Sequence, residues 1–348
     1  MKKLFVCCIM LLAALPGCND GGGQRQAASR LLPQAQPQSE VTGGIAEFFP
    51  FKENTLFSYS GASLTSNSRF YFNHIQGTRA QRLVTVADVL YATEVLQLVG
   101  GELLLIYDDA GYHFYENILD TAPNVNAVIL KEPLILGHSW QMNEHTTREI
   151  TSTNTIVETP LGTFAALQIT INSPGYPPMR EYYARGIGLI KSVHIENGIE
   201  TESLLTEMTS GTGMQVRARF YFPNVVRGIL EEYPGTLSIR TNAGFETQFE
   251  QAMRQTMSEE GMPLITENTR INAIRIDRRA DNALIDLSRE FITEFNIGDG
   301  VLISVLQGIA NTIGSFYDVR TVIITIDGQL FERGSVRLLP GQGFSVGS

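Results

Sequence analysis

Apolar and polar positions follow two different periods along this chain. From about Ile45 to Met208 they alternate in short runs. Examples are Arg69-Phe70-Tyr71-Phe72, Arg82-Leu83-Val84-Thr85-Val86, Glu102-Leu103-Leu104-Leu105-Ile106-Tyr107 and Ala166-Leu167-Gln168-Ile169-Thr170-Ile171. These runs are dense in β-branched and aromatic residues, as strands are. Turn signals part them: Gly100-Gly101, Asp108-Asp109-Ala110-Gly111, Pro160-Leu161-Gly162 and Glu196-Asn197-Gly198. With no long helix intervening, residues 45–208 predict an antiparallel meander or half-barrel.

After a small, polar linker at 209–214, the period changes within 215–335. Gln215–Phe222 alternates, with Val216, Ala218, Phe220 and Phe222 on one strand face. Asn224–Tyr233 contains Gly228 and precedes Pro234-Gly235, which predicts a loop or hairpin excursion. Phe245, Phe249, Ala252, Met253 and Met257 fall at helical spacing. Ile271–Ile276 and Ala283–Leu287 predict strands, and Thr321–Ile326 predicts another before Asp327-Gly328. Between them Val301–Ser315 predicts a helix carrying no charge, so most of its circumference should be covered. Ser288-Arg289-Glu290 predicts a short helical turn. The order reads β-α-β-β-α-β, and two helices on one face of a four-stranded sheet would bury both apolar stripes. The fold class is therefore α+β: an N-terminal antiparallel β-rich domain, a two-layer α/β domain, and a tail at 336–348.

The first residues change the picture of where the chain works. Met1–Gly17 has Lys2 and Lys3 ahead of the apolar run Leu4–Leu15, the form of an export signal. Leu15-Pro16-Gly17-Cys18 resembles a bacterial lipobox, which implies lipidation of Cys18 and anchoring to the outside of the cell membrane. Residues 18–44, rich in Gly, Gln, Ala, Pro and Ser, read as a flexible tether. The chain has three cysteines, Cys7, Cys8 and Cys18, so removal of the signal leaves no disulfide, Cys metal site or Cys nucleophile. The net charge of −10 argues against a broad nucleic-acid surface.

Candidate chemistry is sparse. His74, His113, His138, His145 and His194 show no metal-ligand spacing. Gly343-Phe344-Ser345-Val346-Gly347 matches G-x-S-x-G but lacks the following helix and the His and acid partners that a nucleophile elbow needs. Asp286-Leu287-Ser288 and Asp327-Gly328 sit at strand ends, where such residues satisfy turns and caps. Arg275, Arg278 and Arg279 form a small basic rim. No catalytic, cofactor or metal residue is assigned; Cys18 is the one candidate site residue.

Two resemblances add to this. Ala283-Leu284-Ile285-Asp286-Leu287-Ser288-Arg289-Glu290-Phe291, Ile309-Ala310-Asn311-Thr312-Ile313 and Val319 through Asp327-Gly328 resemble the GerMN domain of sporulation and spore-germination proteins, over about a third of the chain. The family often has an acidic residue in the first turn of its second helix, and Val301-Leu302 supplies none. The resemblance implies a non-catalytic extracytoplasmic module that assembles with itself or a protein partner. Pro133–Trp140, Thr159–Phe164 and Tyr182–Ile190 resemble landmarks of secreted β-rich lipoprotein domains. A curved sheet of that kind can shelter a hydrophobic ligand, so a binding module for a lipid or wall fragment is the alternative function. A cell-wall enzyme is a third, for which no paired-carboxylate motif or metal site is found.

Overall fold

The computed structural model describes residues 43–62, 66–87, 90–110, 115–196 and 198–347. The signal, most of the tether, Cys18 and His113 lie outside them. The chain divides into two compact units. The first holds the described residues up to 110 together with 118–211; the second holds 115–117 and 212–347.

The first unit is almost wholly β. A four-residue helix α1 (Ile45–Phe48) precedes twelve strands: β1 (Thr55–Gly61), β2 (Ser68–Gln76), β3 (Arg79–Val86), β4 (Leu90–Val99), β5 (Glu102–Ala110), β6 (Ala127–Lys131), β7 (Ser139–Gln141), β8 (Thr147–Thr159), β9 (Gly162–Asn172), β10 (Met179–Ala184), β11 (Gly188–Glu196) and β12 (Ile199–Ser210). They form one antiparallel sheet in the order β6-β5-β4-β3-β2-β1-β12-β11-β10-β9-β8-β7. The sheet curls until its two end strands meet. Val128 N–H in β6 donates to Met142 O at 3.0 Å. The indole Nε1–H of Trp140 in β7 donates to Val128 O at 2.9 Å. A half-barrel is thus carried on to a barrel-like closure, and Trp140, the one tryptophan of the chain, sits on the seam.

The interior holds the main core, with Phe57, Phe72, Leu96, Leu103, Leu105, Ile150, Leu167, Ile169 and Tyr183 buried. Phe57 stacks on Phe70 with ring centroids 4.4 Å apart. Ile45, Phe48 and Phe49 of the α1 segment join this core. A smaller cluster of Val95, Ile106 and Leu119, with Ile118 against it, covers part of the outer face. Here the sheet is buried on both sides.

The second unit begins with a long hairpin, β13 (Met214–Asn224) and β14 (Ile229–Ile239). Then come α2 (Glu246–Met253), β15 (Ile271–Asp277), β16 (Asn282–Leu287), α3 (Glu290–Glu294), α4 (Asp299–Tyr317), β17 (Thr321–Ile326), β18 (Gln329–Leu330), β19 (Glu332–Arg333), β20 (Val336–Arg337) and β21 (Phe344–Ser345). The stretch expected as a loop or hairpin is a hairpin, and Pro234 and Gly235 lie inside its second strand, opposite Arg219 and Ala218. The expected single four-stranded sheet is not found. β13 and β14 pair with each other, and a separate sheet runs β15-β16-β17-β18 with β21 on β17. β16 and β17 are parallel, joined through α4.

The composition of α4 explains the split. Leu302, Val305, Leu306, Ile309, Ala310, Ile313 and Phe316 are buried, as are Gly308 and Thr312. One sheet face covers only one stripe of a helix. α4 packs against both the hairpin and the sheet. Tyr221 N–H of β13 donates to Thr312 Oγ1 at 3.1 Å. A Cβ at Gly308 would lie 2.4 Å from Tyr221 O, so glycine permits this close approach to the hairpin. The helix ends at Asp318, in the left-handed region at φ 52°, with Val319 N–H returning to Gly314 O.

Residues 336–348, expected as a tail, contribute β20, β21 and the buried Leu338. Val346 N–H donates to Arg320 O, Gln307 Nε2 donates to Ser345 O, and Gly347 N–H donates to Asn311 Oδ1. Apolar Phe344 and Val346 alternate around Ser345, which is a strand pattern too short to stand out in sequence.

Candidate functional site

A cavity of about 130 Å³ lies inside the first unit. Its apolar wall includes Phe70, Leu96, Leu105, Ile129 and Met142, and its polar wall is unusual for a β core. Three arginines (Arg69, Arg82, Arg148) and two glutamates (Glu94, Glu181) line it.

Strand register builds the first ion pair. Arg82 of β3 stands directly opposite Glu94 of β4. The Arg82 Nε–H donates to Glu94 Oε2. The Glu94 side chain is 5% exposed and that of Arg82 21%. The Arg82 guanidinium carbon lies 5.2 Å from the Phe70 ring centre and 5.8 Å from that of Phe49. Burial works against the Arg82 charge, but Glu94 outweighs it and keeps the guanidinium protonated above its ordinary range.

The second pair reaches across a strand. Arg148 of β8 and Glu181 of β10 both flank β9, and Arg148 Nη2 donates to Glu181 Oε2. The Arg148 side chain is fully buried. Tyr183, two residues on from Glu181, donates its hydroxyl to the same Glu181 oxygen. Arg148 Nη1 approaches Met142 Sδ at 3.7 Å. Tyr59 completes the polar wall, its hydroxyl donating to Leu189 O at 2.8 Å and held protonated chiefly by burial.

None of these charged residues was singled out from sequence. Alternation puts Arg82, Val84 and Val86 on one face but cannot say that this face is the interior. The lone Glu94 within the apolar run LYATEVLQLV of β4 is the signal that was available. The three sequence landmarks take different places. Pro133–Trp140 leads into the seam, Thr159–Phe164 spans the β8–β9 turn, and Tyr182–Ile190 brings Tyr183 and Leu189 to the cavity. Of the histidines, His194 lines the cavity; His138 stacks on Trp140 with centroids 5.7 Å apart. No group of three or more His, Cys, Asp or Glu able to hold a metal occurs among the described residues.

In the second unit the motif residues hold turns. Asp286 Oδ1 accepts from Thr325 Oγ1 at 2.6 Å and from Gly328 N–H at 2.8 Å. Burial would raise its pKa, but these two donors outweigh that and hold the carboxyl below its usual range. Asn272 Nδ2 donates to both Asp286 and Asp327. Ser288 Oγ accepts Arg270 N–H, and Ser345 lies in the two-residue β21, not at an elbow. Arg278 is engaged with Glu116 at 2.6 Å and Tyr317 O at 2.6 Å, so this part of the basic rim braces the unit internally. The helix expected from Val301 starts at Asp299, which restores an acidic residue to its first turn; Asp299 Oδ2 accepts Ser335 N–H at 3.0 Å.

Comparison with known proteins gives one family. The model of the family Germane, described as sporulation and spore germination, matches residues 219–332. No curated protein matches. Among solved structures, the first GerMN domain of the sporulation protein GerM from Bacillus subtilis is 18% identical over 38% of this chain and 94% of that one, with a TM-score of 0.26. A protein from Bacteroides fragilis, classed as exported and of YmcC-like fold, is 15% identical over 47% of this chain and 99% of its own, with a TM-score of 0.31. A protein from Clostridium perfringens, classed as a lipoprotein, is 21% identical over 39% and 93%, with a TM-score of 0.24. Residues 219–332, the body of the second unit and about a third of the chain, are thus the part that matches the Germane family of sporulation and spore germination.

Proposed function

We propose that this is a lipid-anchored, extracytoplasmic envelope protein that acts without catalysis, by assembling with itself or a protein partner during sporulation or germination. The Germane match over 219–332 carries this reading. The sequence at Met1–Gly17 and Cys18 supports export and anchoring, with residues 18–44 as the tether. No cofactor or nucleic acid enters it.

The second unit offers two strand edges for assembly. β14 pairs only with β13, and β15 only with β16, among the described strands. The first edge carries Glu231 and Glu232, and the second carries Arg275, with Arg279 just beyond it. Unlike charges on unlike edges favour head-to-tail contact between copies or with a related domain.

Fractionation of cells expressing the native chain and Cys18→Ala tests the anchor. The native chain should stay with membranes and the variant should be released. Equal membrane retention would overturn anchoring. Deletion of the gene should impair spore formation or germination, and a strain normal in both would overturn that role.

A further inference from the structure

We propose that the cavity of the first unit binds an uncharged amphiphile: an apolar body about the size of an aromatic ring, carrying an oxygen acceptor. This goes beyond the role proposed above, which rests on the second unit.

The inner face of the sheet is its more open one. On β3 the inward Arg82 and Val84 are half-buried, while the outward Leu83 and Thr85 are buried. On β2 the inward Phe70 is half-buried and the outward Tyr71 is buried. A core filled to ordinary protein density would bury its inward side chains instead. Phe70, Arg82 and Val84 all line the cavity, so the surface they keep is chamber wall. The volume of about 130 Å³ is near the ~150 Å³ of an apolar cavity that holds benzene. The chamber also touches the least-bonded joint of the sheet. Ile129 and Met142 line it from the two sides of the seam, where one backbone bond and the Trp140 indole join the end strands among the described residues.

Charge sets the first property of the ligand. Arg82 and Glu94 neutralise each other, as do Arg148 and Glu181. Arg69 stands opposite the outward Thr85 and does not enter this balance. A charged ligand would enter a matched interior without a counter-ion, and an unpaired buried charge is the costly case. Hydrogen bonding sets the second property. A guanidinium has five N–H donors and no acceptor. The Arg82 Nε–H goes to Glu94, and its terminal nitrogens make no hydrogen bond to the described residues. Glu94 and the Phe70 and Phe49 rings fix the group in place. A carbonyl or ether oxygen accepts from those nitrogens without bringing charge. Leu96, Leu105, Ile129 and Met142 take the apolar body.

The test uses the full-length chain with isotope-labelled methionine methyl groups, because Met142 and Met179 both line the cavity. Three probes of similar shape separate the two properties. Acetophenone carries a carbonyl, benzoate a charge, and isopropylbenzene neither. Acetophenone should shift the Met142 and Met179 signals saturably and bind about tenfold more tightly than either of the others. The variant R82M/E94M removes the ion pair as a unit, so no lone charge is left buried. It should keep the native Trp140 fluorescence and bind acetophenone and isopropylbenzene alike. If that variant fails to fold, the ranking in the native chain decides alone. Signals unmoved by all three probes would overturn the proposal and leave the chamber to water. Benzoate binding as tightly as acetophenone would overturn the neutral ligand, and isopropylbenzene doing so would overturn the acceptor. An undiminished preference for acetophenone in the folded double variant would overturn the role of Arg82.

Discussion

The two units spend their polar groups in opposite ways. The first encloses ion pairs within a curved sheet: Arg148 is fully buried, and Glu94 nearly so. The second surrounds a charge-free helix with hairpin and sheet, and most of its carboxylates work at the rim. Its one buried carboxylate among the described residues, Glu250, accepts Ile271 N–H at 2.8 Å and an Arg254 Nη2 hydrogen bond at 2.9 Å, and so joins α2 to the start of β15. The contrast teaches that a buried charge in this protein marks either a joint in the backbone or a chamber, and only the chamber in the first unit needs a further explanation.

Four measurements would break or sharpen this contrast, and two signals separate the units. Trp140 lies in the first, while α2, α3 and α4 place nearly all the helical circular dichroism in the second. The largest effect is expected for Arg148→Ala, which strands Glu181 in the interior. The first unit should lose about 3–5 kcal/mol in urea unfolding followed by Trp140 fluorescence. A loss below about 1 kcal/mol would mean that the interior is wet enough to solvate a lone carboxylate. Gly308→Ala comes next. Its Cβ would meet Tyr221 O at 2.4 Å and Leu264 Cδ2 at 2.7 Å, and backbone cannot step aside cheaply. The second unit should lose about 1–3 kcal/mol in the helical signal, with Trp140 unchanged.

Trp140→Phe keeps most of the ring but removes the donor to Val128 O. About 1 kcal/mol is expected, read as faster amide exchange in β6 and β7. No change there would show that the backbone bond alone closes the seam. The smallest effect is expected from mild acid on the second unit. Asp281 is held low by Arg320, Asp299 by Ser335 and Glu294 by Asn268. Depressed folded pKa values give stability that is complete above the unfolded range of about 3.9–4.3 and is lost as pH falls through the folded values. Exposure and salt screening keep each share small. The helical signal should therefore melt at a lower temperature as pH falls from about 5 to about 3. A melting temperature that stays flat or rises would mean these contacts do not hold in solution.

Much of this was legible in the sequence. Period-two runs located the strands of the first unit, and the apolar stripe of α4 announced a covered helix. Asp286, Ser288 and Asp327 read as turn chemistry and serve as such. The misses share a cause. Alternation sorts residues into two faces without labelling either as inside. In β3 the outward Leu83 and Thr85 are as buried as the core, so Arg82 had no apolar contrast to mark it. Arg148 and Glu181 are 33 residues apart and meet only because two strands flank a third. The division of the second unit into hairpin and sheet likewise depends on how much of α4 must be covered, a property of packing and not of any single run.

The order of strands in the first sheet bears on how the chain reaches its native state. β1 to β6 and β7 to β12 are each a meander of sequence neighbours, and the pairing of β1 with β12 welds them along a register that runs from Thr55 with Ser210 to Gly61 with Ser203. Each half can be made from local hairpins, while the weld must wait for both. The slow step of folding is thereby concentrated in one long loop closure. The β6–β7 connection, by contrast, is the place where the chain could be cut into two complementary fragments.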